Sequence, residues 1–400
     1  MKKHLAVLCG IYYPNPSPTG LCAKRFVDLL SDAYDIDVIC ISDNTESENI
    51  TVQDGIRIHT LAGRRMSAEK GSTGFRKKAL HTLGAIQIKT RYLGNLSWFR
   101  ACAYKKLSDL HKHHPIDAVL SICSPLAAHF AAMDFKDVHQ DVRWCAYTVD
   151  PYSAVNRIRP FLYPLKKMIK TERKTLLKSD SLLLSEEVYK TRGELYSGHG
   201  NCKPLPYMLP EFSVNESQEK FFRTDDINCV YAGSFYKDIR NPEKMLQTFF
   251  LLSDKKIKLH LFSRGCEDVV GKYAEKSKNI IIHPTVPYDK IKAIYNDADV
   301  MVGVGNTISD FLPSKVFECI SVCKPIVFFN STGSTNEILD KYPCQWQSTT
   351  SNNIKSDSDS LGKFITAYGK SNVSPLDVKK IYEKYSASNI SDILHTALEK

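Results

Sequence analysis

No apolar run in this 400-residue chain reaches the roughly 20 residues that a membrane-spanning helix needs. A helical span is therefore not expected. The start, Met1-Lys-Lys-His-Leu-Ala-Val-Leu-Cys-Gly, has an apolar run too short for a secretory leader. Tyr12-Tyr-Pro-Asn-Pro follows it without a small-residue cleavage site, so it reads as a first buried strand. None of the 12 cysteines pairs at CxxC spacing, and several (Cys9, Cys40, Cys123, Cys229) sit in apolar, strand-like runs. Buried reduced thiols and a cytoplasmic location are expected. No metal site is evident: His111-Lys-His113-His114 lies in a basic stretch and reads as a solvated face. There is no nucleic-acid-binding module motif and no short-period repeat.

The composition is that of an ordinary globular protein, 43% apolar and 24% charged. The length suits two domains with two cores. The net charge of +10 is unevenly spread. Segment 64–114 carries 12 Lys/Arg against Glu69 and Asp109, and segment 157–178 carries eight against Glu172. Both are interleaved with bulky apolar residues such as Phe75, Leu83, Trp98, Phe161 and Met168. An anionic membrane, a nucleic acid or an anionic small ligand fits such a surface, as does a solvated helix face over a core stripe. Without a nucleic-acid motif, we expect contact with an anionic membrane surface.

Strand and helix patterns alternate along the chain. Apolar runs at Leu5–Cys9, Ile36–Ile41, Ile56–Leu61, Ala118–Ile122, Trp144–Val149 and Ser181–Leu184 read as strands of a first sheet. Pro204, Pro206 and Pro210 and a polar run then mark a linker. A second alternation begins at Asn228, with strands at Asn228–Ala232, Lys258–Ser263, Ile280–His283, Val300–Val304 and Ile326–Phe329. Ser348–Ser360 is Ser/Asp-rich and reads as a loop. The expected class is α/β, with two doubly wound Rossmann-like domains facing across a cleft. Their bounds are 1–210 and 227–374, with a linker at 211–226. A helical segment, 375–400, is expected to pack back on the first domain. Ligands of such sheets bind beyond the carboxyl ends of the strands.

The run Asp310-Phe-Leu-Pro-Ser-Lys-Val-Phe-Glu318 is the most informative segment. A loop carries Asp310. Ser314 and Lys315 open a helix that carries Glu318, and Lys324-Pro325 ends it before a buried strand. A helix start offers backbone N–H groups to a phosphate. A carboxylate one turn inside accepts from a ribose diol, and one just before it accepts from sugar hydroxyls. That combination suits a nucleotide-sugar, although an ordinary loop–helix–strand unit has the same spacing.

This segment resembles the Glu-x7-Glu region of retaining glycosyltransferases with the GT-B fold, family four in particular. Asp310 stands in place of the first Glu, and Cys323 in place of the Gly that precedes Lys-Pro. In that family a strand ends in Gly-Arg with a Lys soon after, and both clamp the donor diphosphate. Here the strand is Val230-Tyr-Ala-Gly233, Ser234 fills the Arg position, and Lys237 and Arg240 follow in Lys-Asp-Ile-Arg240-Asn-Pro. The resemblance implies a diphosphate role for Arg240 and Lys237 beside Gly233, Ser314 and Lys315. It implies base reading by the backbone around Val286 and ribose binding by Glu318. It also implies contact of Asp310 with the transferred sugar. In the first domain, Gly20 matches one glycine of the family's loop between first strand and first helix. Asp150, after a strand, matches an acceptor-side His or Asp that orients or deprotonates the attacking hydroxyl.

The implied activity is metal-independent, retaining transfer of a sugar from a nucleotide-diphosphate donor. No bound cofactor is expected, and the co-substrate is expected to be a UDP-sugar. The acceptor would be a glycan or lipid-linked sugar in cell-surface polysaccharide assembly, such as capsule or O-antigen. Segments 64–114 and 157–178 would rest on the cytoplasmic face of the membrane. Two alternatives stay open: a GT-B nucleotide-sugar 2-epimerase, and a non-catalytic GT-B glycan-binding partner subunit.

Overall fold

The computed structural model describes residues 2–13, 18–41, 48–62, 97–123, 125–154, 165–210, 220–306, 312–349 and 353–399. The chain divides into two compact units, Met1–Pro206 with Ser388–Lys400, and Tyr207–Ala387.

The first unit is built from β1 (Lys3–Leu8), α1 (Pro18–Leu30), β2 (Tyr34–Ile41), β3 (Asn49–Gln53) and β4 (Ile56–Leu61). A helix over 97–113, α2, follows. Then come β5 (Ala118–Cys123), α3 (Leu126–Val138), β6 (Arg143–Thr148), α4 (Leu165–Leu176), β7 (Ser181–Ser185), α5 (Glu186–Arg192) and β8 (Cys202–Leu205). The strand order is β3-β4-β2-β1-β5-β6-β7-β8. Every pairing is parallel except β3 with β4. Central strands such as β5 are buried at all six positions, because helices cover both faces of a parallel sheet. The edge strand β3 is exposed along its whole length.

The second unit runs β9 (Ile227–Ser234), α6 (Glu243–Phe250), β10 (Ile257–Arg264), α7 (Glu267–Ala274), β11 (Ile280–Ile282), α8 (Tyr288–Asp297) and β12 (Val300–Val304). It continues with α9 (Lys315–Ser321), β13 (Ile326–Phe329), α10 (Ser334–Leu339), β14 (Gln345–Gln347), α11 (Ile354–Tyr368) and α12 (Pro375–Ile381). Its six strands are all parallel, in the order β11-β10-β9-β12-β13-β14. Two apolar layers fill the unit, one around Tyr295, Phe317 and Phe328 and the other around Tyr231, Phe249 and Leu361. The chain ends in α13 (Ala387–Leu398), and from Ser388 onward it belongs to the first unit. There the Arg143 Nε donates to the Ala397 carbonyl at 3.2 Å.

In both sheets the chain winds outward from one central strand, then returns to its other side. The reversal lies between β1 and β5 in the first sheet and between β9 and β12 in the second. Ligands of doubly wound sheets bind at the carboxyl ends of strands at such a reversal.

Ile56–Leu61, Val300–Val304 and Ile326–Phe329 are strands at the bounds expected from the sequence. Two local expectations are corrected. Gly20 is a buried residue of the first turn of α1, not a loop residue, because the helix opens already at Pro18. The polar stretch at 348–360 is not all loop, since α11 starts at Ile354. Its polar residues are what build the helix start. Asn353 caps it by accepting from the Ser356 N–H at 3.1 Å. Asp357 is fully buried, accepts from the Thr349 N–H and hydroxyl, and pairs with Lys244 at 3.1 Å.

The Lys324-Pro325 stop has a physical cause. The half-buried Lys324 ammonium donates to the carbonyls of Tyr295, Asn296 and Ala298, closing the C-terminus of α8. Cys323, just before it, holds a left-handed φ of 56°, a conformation natural to glycine and strained for a side chain.

Of the two basic segments, 63–96 and 155–164 lie outside the described residues. On α4, Lys166, Lys167, Lys170 and Lys174 are exposed while Met168, Glu172 and Leu176 are buried. On α2, part of the charge is spent within the protein: Arg100 binds Asp134 through two hydrogen bonds, and Lys106 lies 3.1 Å from Glu48. Among the described residues no helix is long and apolar enough to cross a membrane.

Candidate functional site

The densest group of sequence-selected residues stands at the reversal of the second sheet. β9 ends at Gly233-Ser234. A Cβ added to Gly233 would stand 3.4 Å from the Tyr231 hydroxyl and 3.6 Å from Lys315 Cε, so the strand end abuts the start of α9. One turn inside α9, Glu318 forms a close ion pair with Lys315. Both side chains are only 13% exposed. Tyr295, from α8, completes the group. Its hydroxyl accepts from Lys315 Nζ at 2.9 Å and donates to Glu318 Oε2 at 3.2 Å. The phenol thus fixes the carboxylate and ammonium that the sequence selected as ribose and phosphate ligands.

Across the reversal, Arg240 Nε donates to Asn306 Oδ1 at 3.0 Å. Asn306 is buried just beyond β12. Arg240 is presented by a tight turn in which its N–H donates to the Tyr236 carbonyl at 2.7 Å. Its guanidinium also hydrogen-bonds the Tyr231 side chain, while burial pushes the Tyr231 phenol pKa up. The Tyr231 hydroxyl donates to the Ser234 carbonyl at 3.3 Å. Arg240, Asn306, Tyr231, Gly233 and Ser234 therefore form one connected set at the strand ends. Lys237 is exposed in the same turn. Val286 is half-buried in the segment between β11 and α8 and packs on the apolar layer. Asp310 lies outside the described residues.

One expectation about phosphate binding is revised by the backbone. α9 has only seven residues. The N–H groups of Val316 and Phe317 donate to the carbonyls of Pro313 and Ser314 at 3.1 Å, and that of Glu318 reaches Ser314. Ser314 makes no side-chain cap. An anion there would meet the Lys315 ammonium, not a row of open N–H groups.

In the first unit, Asp150 follows β6 near the reversal between β1 and β5. The Cys123 thiol, at the end of β5, donates to the Asp150 carbonyl at 3.6 Å. Burial pushes the Asp150 carboxyl pKa up to about 6. The turn that follows is clamped by Glu172 of α4, which accepts from the Tyr152 N–H at 2.7 Å and the Ser153 hydroxyl at 2.7 Å. Arg192 Nη1 donates to the same Ser153 oxygen. Gly20, the third residue of α1, is buried in a helix and not in a loop.

Reading the sequence missed Asn306, Tyr231, Tyr295 and Arg264 as site residues. Arg264 was visible as the last residue of an apolar run before a glycine. Nothing local marked Asn306, whose place comes from strand order. Among the described residues no three His, Cys, Asp or Glu side chains gather as a metal ion would need.

No family model matches the chain, and no curated protein matches its sequence. Solved structures do match. Sucrose-phosphate synthase from Thermosynechococcus elongatus superposes with a TM-score of 0.68 at 10% identity, covering 99% of this chain and 98% of that one. A trehalose-6-phosphate structure from E. coli bound with UDP-2-fluoro glucose gives 0.68 at 11% identity, covering 99% of each. An α,α-trehalose-phosphate synthase (UDP-forming) from Burkholderia xenovorans, in complex with glucose-6-phosphate, gives 0.66 at 9% identity, covering 99% and 100%. At such identities the likeness establishes the fold alone. It is the GT-B class, as expected from the sequence.

Proposed function

We propose that the chain is a glycosyltransferase that takes its sugar from a nucleotide-diphosphate donor, a UDP-sugar in the first instance. The observation that carries this reading is the Lys315–Glu318–Tyr295 group, joined to Gly233 at the carboxyl end of the central strand of a GT-B unit. Glu318 would accept from the ribose hydroxyls once the ligand displaces part of its pairing with Lys315. The Lys315 ammonium and the Arg240 guanidinium would stabilise charge on the departing diphosphate. Asp310 would contact the transferred sugar, a role that rests on the family resemblance. Solved neighbours bound with UDP-2-fluoro glucose and with glucose-6-phosphate support a sugar-nucleotide donor and a phosphate-bearing acceptor.

On the acceptor side, Asp150 would orient the attacking hydroxyl or take up its proton. A carboxyl poised near pH 6 is ionised at neutral pH and basic enough to accept. In a retaining transfer on one face, the leaving diphosphate oxygen receives that proton finally, so groups that stabilise phosphate matter more than a strong base. We further read the acceptor as a lipid-linked glycan of cell-surface polysaccharide assembly, met at the cytoplasmic face of a membrane. The exposed Lys166, Lys167, Lys170 and Lys174 on α4 support it, because basic residues near an anionic leaflet each contribute about 1 kcal/mol.

The test is a panel of nucleotide-sugars incubated with the protein and either a lipid-linked glycan or a sugar phosphate. Acceptor-dependent release of nucleoside diphosphate with a glycosylated product is expected. Free nucleoside diphosphate with an epimerised sugar would mark an epimerase. No release with any donor would leave a binding subunit.

A further inference from the structure

The last residue of β10, Arg264, is the in-register partner of the last residue of β9, Ser234. Its Nε donates to the Ser234 hydroxyl at 2.9 Å. That uses one of five N–H donors on a guanidinium. Among the described residues no carboxylate pairs with the rest, and the side chain is exposed. The acidic residue closest in sequence is otherwise engaged: Glu267 Oε1 accepts from the Gly265 N–H at 2.6 Å. The backbone that carries Arg264 is tightly placed. Its carbonyl accepts from the Phe235 N–H at 2.9 Å. Gly265 then turns at a φ of 84°, where a Cβ would stand 2.3 Å from the Phe235 carbonyl oxygen. Only glycine closes that turn.

Arg264 is therefore held on the same strand end that Lys315 and Arg240 approach from other elements. Lys315 comes from α9 against Gly233. Arg240 comes from the 236–240 turn through Tyr231, whose hydroxyl bonds the Ser234 carbonyl. Lys315, Arg240 and Arg264 thus approach Gly233-Ser234, with Glu318 paired to Lys315 and Asp238 carried on the Arg240 turn. An excess of positive charge with open, forked N–H donors suits a diphosphate, which offers several acceptor oxygens at once.

We propose that Arg264 is a phosphate-binding residue of the donor site, reaching across from β10 to hold the diphosphate of the sugar nucleotide beside Lys315 and Arg240. This rests on the donor reading given above. The probes are UDP, GDP and ADP with their monophosphates, titrated by calorimetry into the full chain and its variants. The wild type should bind at least one diphosphate. Arg264→Ala should weaken that diphosphate roughly 10-fold and the matching monophosphate far less, as the loss of one charge-assisted contact requires. The exchange Ser234→Arg/Arg264→Ser returns the charge to the same strand end, and should recover diphosphate affinity to within about threefold. Equal diphosphate affinity in wild type and Arg264→Ala overturns the proposal while leaving the donor reading intact. So does an equal loss for the monophosphate. An exchange variant as weak as Arg264→Ala overturns it as well, because ordering of the turn, and not charge, would then explain the loss. A wild type that binds none of the diphosphates overturns the donor reading itself.

Discussion

The two units each contain a compact ionic group, and the two groups differ in what is left over. In the first sheet Asp37 is 1% exposed and accepts four hydrogen bonds. Arg57 Nε and His59 Nε2 reach one oxygen, and Arg57 Nη2 and His4 Nε2 reach the other. Arg57 spends its remaining nitrogen on Asp35 at 2.8 Å. His4 Nδ1 faces the carbonyls of His114 and Pro115 at 3.0 and 3.2 Å. With acceptors at both nitrogens, His4 must carry both protons. Burial alone would lower the His4 pKa, but the Asp37 carboxylate and the two carbonyls reverse this and raise it. Asp37 is held well below the carboxylate range against its own burial by His4, His59 and Arg57. Both oxygens of Asp37 are saturated by protein. In the Lys315–Glu318–Tyr295 group the ammonium and carboxylate bind each other and one phenol, with Arg240 and Arg264 close to the same strand end. A closed network fixes a fold; an open one at strand ends is where a ligand finds partners.

The largest effect expected is on the closed group. Asp37→Ala leaves the buried His4 without its carboxylate and Arg57 with Asp35 alone, which costs about 3–5 kcal/mol of stability. Denaturant unfolding checks it, and a loss below 1 kcal/mol would mean the network is looser than its geometry. Glu318→Ala is expected to weigh the other way: Tyr295 still accepts from Lys315, so unfolding should move by about 1–3 kcal/mol, while donor affinity falls at least 10-fold.

Asp150 carries the next effect. Its folded pKa of about 6 lies above the ordinary value of 3.8, so the folded state holds the proton more tightly than the unfolded chain. Stability therefore falls as pH rises between these values, and stays lower above them. Asp150→Asn should be more stable than the wild type at pH 8 by about 1–2 kcal/mol. Transfer by the wild type should decline as pH drops through about 6, and Asp150→Asn should lose that limb along with most of its rate.

His4 gives a slope of the same sign at higher pH. Its contribution is complete below the unfolded value of about 6.5 and fades as pH rises through the raised folded pKa. The groups around it are Asp37, Arg57, Asp35, His59, His114 and Asp117, the last accepting from the His4 N–H at 2.7 Å. His4→Gln should flatten the alkaline slope in thermal unfolding; a slope that survives would place its origin elsewhere. The smallest effect is at Cys323. Its left-handed φ costs about 1 kcal/mol, offset by the half-buried sulfur. Cys323→Gly should stabilise by up to about 0.5 kcal/mol and leave activity unchanged.

Long apolar runs made most of the fold readable. Parallel strands buried on both faces leave a continuous signal, as in Val300–Val304 and Ile326–Phe329. Short or exposed strands leave little, and β3, with its five exposed residues, was not expected from the sequence. Polar helix starts are read as loops when their polar atoms serve the helix itself, as at Asn353 and Asp357. At the site, sequence spacing alone placed Glu318 and Lys315 together. The register of β9 and β10 and the order β9–β12 bring in Arg264 and Asn306, and no local pattern encodes Asn306.

Glu318 is the residue on which donor binding depends most directly. Calorimetric titration of UDP, GDP and ADP into the wild type and Glu318→Ala, both shown to be folded by circular dichroism, measures its role in donor binding. The wild type should bind at least one of the three, and the variant should bind it at least 10-fold more weakly. Equal affinities, or a wild type that binds none, would contradict a donor site at the carboxyl ends of β9 and β12.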